Sequence, residues 1–163
     1  MTEGGNIMRR KDREVLDNEE ILNILIRSNT IHVAMYGDKF PYVVPVSFGM
    51  EESDGKPVIY FHCAKEGLKT EYLKKNSDVC VEADTFFRVQ KTEHGITTRY
   101  ESVIGFGKCE EVTSEEEIIK GLKLILEHYN NEDYDVERCK GVSNLKMYRI
   151  ILEKITGKAN PVV

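Results

Sequence analysis

The ten residues from Tyr60 to Lys69, Tyr-Phe-His-Cys-Ala-Lys-Glu-Gly-Leu-Lys, hold the densest set of groups able to do chemistry. An apolar strand ends there, Gly67 turns the chain, and a helix begins whose free N–H groups and partial positive charge make an anion site. Lys65 and Lys69 add two full charges, and His62 can donate a hydrogen bond from the strand end. A doubly charged terminal phosphate suits this cluster, at roughly 1.5 to 3 kcal/mol for each charge-assisted bond. A solvated, lysine-bearing surface is the plain alternative, and the segment alone leaves both open. His62 and Cys63 are neighbours in a strand, so their side chains face opposite sides and cannot form a nucleophile–base pair. With no His-Glu-x-x-His, no paired ligands and no cysteine cluster, no metal is expected. His32, His94 and His128 read as surface or half-buried side chains.

Two more segments carry unusual residues. Phe40 to Gly49 places Pro45 inside what otherwise reads as a strand. Proline cannot donate to a ladder, so it marks an edge, a bulge or an open ladder position. Either this is simply an edge strand, or free backbone groups beside Pro45 meet a flat heterocycle with alternating donors and acceptors, such as a flavin's pyrimidine ring. Arg99 to Gly107 alternates and contains Gly105 and Gly107, which suits a barrel bend or the close approach of a planar ring or a second subunit.

The elements that position these segments follow from periodicity. Asp17 with Glu20 suggests a capping box, and Ile21, Leu22, Ile24, Leu25 and Ile26 give a helix ending at Ser28-Asn29. Ile31–Tyr36, Tyr42–Met50 and Pro57–Cys63 read as three strands whose short connections imply antiparallel pairing. A short helix over Gly67–Lys75 follows, then strands over Asp78–Asp84, Phe86–Lys91 and Thr97–Val112. Thr113 and Ser114 with Glu116 and Glu117 start a second clear helix, whose stripe is Ile118, Leu122, Ile125 and Tyr129, widened by Ile119 and Leu126. Asn130–Gly141 reads as loop and Met147–Ile155 as a last strand. Six or seven mostly antiparallel strands with helices outside them make an α+β fold, a small closed or half-closed β-barrel. Such a barrel fills its interior with its own side chains, so a large ligand must sit on a seam or between subunits.

The 163 residues fit one domain, spanning 1–163, with residues 1–13 as a candidate flexible arm. A net charge of −5 gives no basic field to gather nucleic acid or anionic membrane. No apolar run approaches the roughly 20 residues that span a bilayer, and no apolar stretch follows the basic start as a secretory signal requires. Cys63, Cys80, Cys109 and Cys139 lack paired spacing, so reduced thiols in a cytoplasm are expected.

Taken in order, these segments resemble the flavin-binding split-barrel family related to pyridoxamine 5′-phosphate oxidase, and within it the nitroimidazole-resistance (Nim-type) proteins. The carrying residues are Met8–Glu14, Pro41–Gly49, Ile59–Ala64 with Glu66–Lys69, and Tyr100–Gly107, over about residues 8 to 155. The resemblance implies a split barrel that binds FMN as a homodimer, with the flavin in a groove between protomers. It implies that Pro45, Val46 and Ser47 border the isoalloxazine, with Val44 beside them. His62, Lys65 and Lys69 would surround the phosphate side, Cys63, Ala64 and Leu68 would join the cofactor-binding set, and Ser102 with Val103 would come from the third segment. The sequence has no Trp and ends without the Trp- and Arg-containing portion with which pyridoxamine phosphate oxidases grip substrate, so vitamin B6 oxidation is not expected.

The activity so implied is a reductase in which FMN takes a hydride at N5 from NAD(P)H and passes electrons to a nitroimidazole or similar small oxidant. His62 or Ser102 would orient or protonate that substrate. The alternatives are a haem-binding or haem-degrading split barrel with a histidine as axial ligand, and a non-catalytic flavin carrier or sensor with Cys63 beside the cofactor.

Overall fold

The computed structural model describes residues 8–136 and 144–161. Residues 1–7 of the expected arm, Cys139 and the end of the expected loop at Gly141, and residues 162–163 lie outside the described residues. The elements in chain order are a 3-10 turn at Lys11–Arg13, β1 (Glu14–Val15), α1 (Asn18–Arg27), β2 (Ile31–Met35), β3 (Tyr42–Val46), β4 (Gly49–Ser53), β5 (Lys56–Ala64), α2 (Leu68–Lys75), β6 (Asp78–Thr92), β7 (Gly95–Val112), α3 (Glu115–His128) and β8 (Leu145–Asn160).

Seven strands form one antiparallel path in the order β3-β2-β6-β7-β8-β5-β4, and β1 pairs with the far part of β8. Strands β3 and β4 occupy opposite ends of this path, yet only Ser47 and Phe48 separate them in the chain. The sheet must therefore curl until its two edges nearly meet, which makes a split barrel with three helices outside it. This corrects the expectation of one strand over Tyr42–Met50. The chain leaves one edge at Val46 and joins the other at Gly49, with Phe48 fully buried between them. The expected strands Asp78–Asp84 and Phe86–Lys91 are one strand with a bulge between Phe86 and Arg88, and the last strand runs on to Asn160.

Alternation sets the layers. Ile31, Val33 and Met35 of β2 point into the barrel with Ile59 and Phe61 of β5, Val81 and Ala83 of β6 and Ile150 of β8. On β5 the other row, Val58 and Tyr60, turns outward and packs with Ile118, Leu122 and Ile125 of α3. Helix α1 covers Val103 with Ile21 and Ile24. Its cap differs in detail from the sequence expectation: Asp17 accepts from the Glu19 N–H at 3.0 Å, while Glu20 pairs with Arg27 at 2.8 Å. Ser114 caps α3 by accepting from the Glu117 N–H.

Candidate functional site

Where the barrel splits, a cavity of about 680 Å³ opens between the end of edge strand β3, the end of β5, the first turn of α2 and the face of α3. Pro45, Val46 and Ser47 form one wall, His62, Cys63 and Ala64 the second, and Leu122, Ile125 and Leu126 an apolar third. Lys69 reaches in from α2, and Tyr134, Val136, Asn144 and Leu145 complete the rim.

Each wall has a local cause. Strand β3 pairs only with β2, so Pro45 sits on an edge strand, where proline is tolerated. On β5, Cys63 continues the inward row of Ile59 and Phe61, whereas His62 continues the row that faces α3. The two side chains therefore lie on opposite faces of the strand end, and the cavity wraps around it. Ser47 leads into Phe48, whose N–H donates to the Tyr129 hydroxyl at 3.3 Å, and that hydroxyl donates to the Asn29 carbonyl at 2.7 Å. The His128 ring packs on Phe48 with centroids 4.2 Å apart, and its Nε2 donates to the Ser28 carbonyl at 2.9 Å. A Cβ on Gly49 would overlap the Leu124 carbonyl and the Ile125 amide of α3. These contacts lock the two cleft walls to each other.

The charge inside the cleft is one-sided. Although the chain is acidic overall, no Asp or Glu lines this cavity among the described residues. Lys75, Lys108, Lys120 and Lys146 each hold a carboxylate at 2.6 to 2.7 Å. Half-buried Lys69 has no carboxylate partner among the described residues, and its ammonium lies 5.5 Å from the centroid of the Phe61 ring. That ring stacks in turn on Tyr148 at 5.4 Å. Gly67, at φ 142°, precedes α2, and the first-turn N–H groups of that helix have no acceptor within it. Burial and, secondarily, the Lys69 charge hold the His62 imidazolium below its ordinary pKa. Burial raises the Cys63 thiol while Lys69 and Lys146 oppose the rise. Neutral imidazole, neutral thiol and a bare ammonium beside an apolar wall can bind an anion joined to a flat ring.

Of the residues singled out from sequence, Pro45, Val46, Ser47, His62, Cys63, Ala64 and Lys69 meet in this cleft. Val44 points into the barrel and packs on its core. Lys65 and Leu68 are exposed on the turn into α2 and do not line the cavity. Ser102 and Val103 do not reach it within one protomer. Being adjacent on β7, they face opposite ways: Val103 is buried against α1, and Ser102 lies on the outer face with its hydroxyl 3.4 Å from the Lys158 carbonyl. The α3 wall is absent from the sequence expectation, which reads Leu122, Ile125 and Leu126 only as a stripe that packs a helix. Away from the cleft, His32, Glu82 and Asp84 bring one donor atom each within 4.8 Å on the outer sheet face, where His32 Nδ1 lies 3.1 Å from Glu82.

Residues 17–159 match the model of the family described as pyridoxamine 5′-phosphate oxidase. Among solved structures, a candidate 5-nitroimidazole antibiotic resistance protein from Bacteroides thetaiotaomicron is 28% identical with a TM-score of 0.79, covering 89% of this chain and 85% of its own. A flavocytochrome from Azotobacter vinelandii is 16% identical with a TM-score of 0.78, covering 99% of this chain and 75% of its own. An FAD and heme binding protein from Mycobacterium smegmatis is 15% identical with a TM-score of 0.75, covering 91% and 73%. The last two show likeness of fold. No curated protein matches the sequence.

Proposed function

The chain belongs to the pyridoxamine 5′-phosphate oxidase family, and on that premise we propose that it is an FMN-dependent reductase whose flavin lies in the cleft at the barrel split. The observation that carries this reading is Lys69, a half-buried ammonium with no carboxylate partner among the described residues, in a cleft that no described acid lines. Outside a complex, such a charge is held at a cost that a bound anion offsets. Lys69 and the first-turn N–H groups of α2 would hold the phosphate, with Lys65 adding charge from the rim. The backbone from Pro45 to Ser47, on an edge with no further strand beside it, would meet the polar rim of the ring system, and Leu122, Ile125 and Leu126 would exclude water from its other side. Bound FMN supplies hydride acceptance from NAD(P)H and delivery to a small oxidant at N5. His62, neutral at pH 7, would orient the substrate by a hydrogen bond at the cleft wall. Similarity to the Bacteroides protein supports a nitroimidazole or related nitroaromatic as the oxidant.

A homodimer goes with this reading, because the barrel interior is filled by its own side chains and the cleft lies at the surface. A cytoplasmic location goes with it as well: the thiols of Cys63, Cys80 and Cys109 are free. No helix among the described residues is long and apolar enough to cross a membrane. Haem is the second reading, favoured by one observation: the His62 ring faces the cleft with no hydrogen-bond partner among the described residues. The absorption spectrum of the isolated protein, followed by FMN and haem titration, separates the two. Flavin bands and steady turnover of NAD(P)H with a nitroimidazole are expected. A Soret band lost in His62→Ala would replace flavin by haem, and flavin binding without turnover would make the protein a carrier or sensor.

A further inference from the structure

One group of metal-ligating side chains on the outer sheet face takes no part in the cleft. His32 of β2 and Glu82 of β6 are partners in register, so they lie side by side on one face, and Asp84, two residues on from Glu82, shares it. Their chain neighbours Val33, Val81 and Ala83 fill the barrel core, which fixes this face outward. One donor atom from each of the three lies within 4.8 Å of the other two, and His32 Nδ1 is 3.1 Å from the Glu82 carboxylate. That shorter spacing is the one between two neighbouring ligands held about 2.2 Å from a common ion. Fifty residues separate His32 from Glu82 in the chain, so no spacing in the sequence announces the set.

Charge points the same way. Two carboxylates share this patch, and the residues directly opposite the three on the flanking strands are Pro45, Ile104 and Ser102, none of them a cation. Among the described residues no Lys or Arg pairs with Glu82 or Asp84, and the only ionic contact of either is the one with His32. Elsewhere the fold brings a strong base to such pairs: Arg27 holds both Glu20 and Glu101, and Arg149 holds both Glu110 and Glu117. A divalent cation supplies here what an arginine supplies there. The imidazole nitrogen narrows the choice of ion, because magnesium and calcium favour oxygen ligands, whereas manganese, iron, cobalt, nickel and zinc accept nitrogen together with carboxylate. All three donors stand on hydrogen-bonded strands, so their backbones are in place before an ion arrives.

We propose that His32, Glu82 and Asp84 bind one divalent first-row transition ion through one ring nitrogen and two carboxylates, with water in the remaining positions. The site does not depend on what fills the cleft, and the test uses the full chain without flavin, freed of metal by a chelator. The probes are Co²⁺ and Mn²⁺. Calorimetry should show one Co²⁺ per chain, with weak visible bands and no intense near-ultraviolet band from a cobalt–thiolate bond. Glu82→Gln and Asp84→Asn should each weaken binding at least about tenfold, since even groups that only orient a metal ligand are worth roughly 10- to 100-fold. The metal-free variants should keep the circular dichroism of the wild type. Cys80, two residues before Glu82 on the same face, is the competing ligand, and Cys80→Ser should leave binding unchanged. In the wild type, a small fraction of one equivalent of Mn²⁺ should broaden the His32 ring resonances ahead of those of His62, His94 and His128. Absence of saturable binding, a cobalt–thiolate band, carboxylate variants that bind as the wild type does, or broadening that begins at another histidine would each overturn the proposal.

Discussion

Replacing Lys69 by Met removes the ammonium while keeping a side chain long enough to lie over Phe61. The charge is half-buried and has no carboxylate partner among the described residues, so nothing described within the protein competes with a ligand phosphate for it. A charge-assisted bond of this kind contributes about 1.5 to 3 kcal/mol, and partial exposure places it near 2, or about thirtyfold in Kd. Folding should lose only the contact with the Phe61 ring, about 0.5 kcal/mol. Quenching of flavin fluorescence gives the affinity for FMN and for riboflavin, which lacks the phosphate. FMN should bind the wild type far more tightly than riboflavin does, and in Lys69→Met that gap should close while riboflavin binding stays nearly constant. Added salt should weaken FMN binding to the wild type more than to the variant. The same change at Lys65, on the exposed turn, should cost only a few-fold. If Lys69→Met lowered both affinities equally, or neither, the phosphate would not lie at this ammonium.

Three further outcomes follow from the same contacts. The His62 imidazole, followed by NMR, should titrate below 6.5, and Lys69→Met should move its midpoint only part of the way back, because burial is the larger cause. The unfolded chain binds that proton first, so this group lowers stability as pH falls below about 6.5; a midpoint at or above 6.5 would contradict the shielding. Gly49→Ala should cost about 3 kcal/mol in urea unfolding, since its Cβ drives into the α3 backbone, and an unchanged midpoint would show that α3 is not seated there. Tyr148→Phe should be neutral or stabilising by about 1 kcal/mol in the same assay, because the Tyr148 hydroxyl is buried with no hydrogen-bond partner among the described residues; a clear loss would reveal one.

Much of the architecture is legible in the sequence because period-two and period-3.6 patterns are local. The stripe on α3, the Ser114 cap and the strand expected over Pro57–Cys63 all follow from residues within one element. The crossing at Ser47-Phe48 is not legible, since Tyr42 to Met50 reads as one apolar run and only the global strand order reveals that it serves two edges. Lys69 and His62 are visible as a cluster of charge beside a glycine turn. The same residues cannot show that α3 supplies the opposite wall, because a leucine that packs a helix and a leucine that lines a cleft have the same spacing. The facing of Ser102 is not legible for a related reason. Alternation says that it and Val103 face opposite ways, but which face is outward depends on α1 covering Val103 with Ile21 and Ile24.

On this reading the cleft at the barrel split holds a phosphorylated flavin. A crystal structure of the protein grown with FMN tests it most directly. Phosphate density is expected within hydrogen-bonding distance of the Lys69 ammonium and the start of α2, with the ring system running past Pro45 to Ser47. FMN bound elsewhere with this cleft empty would contradict it.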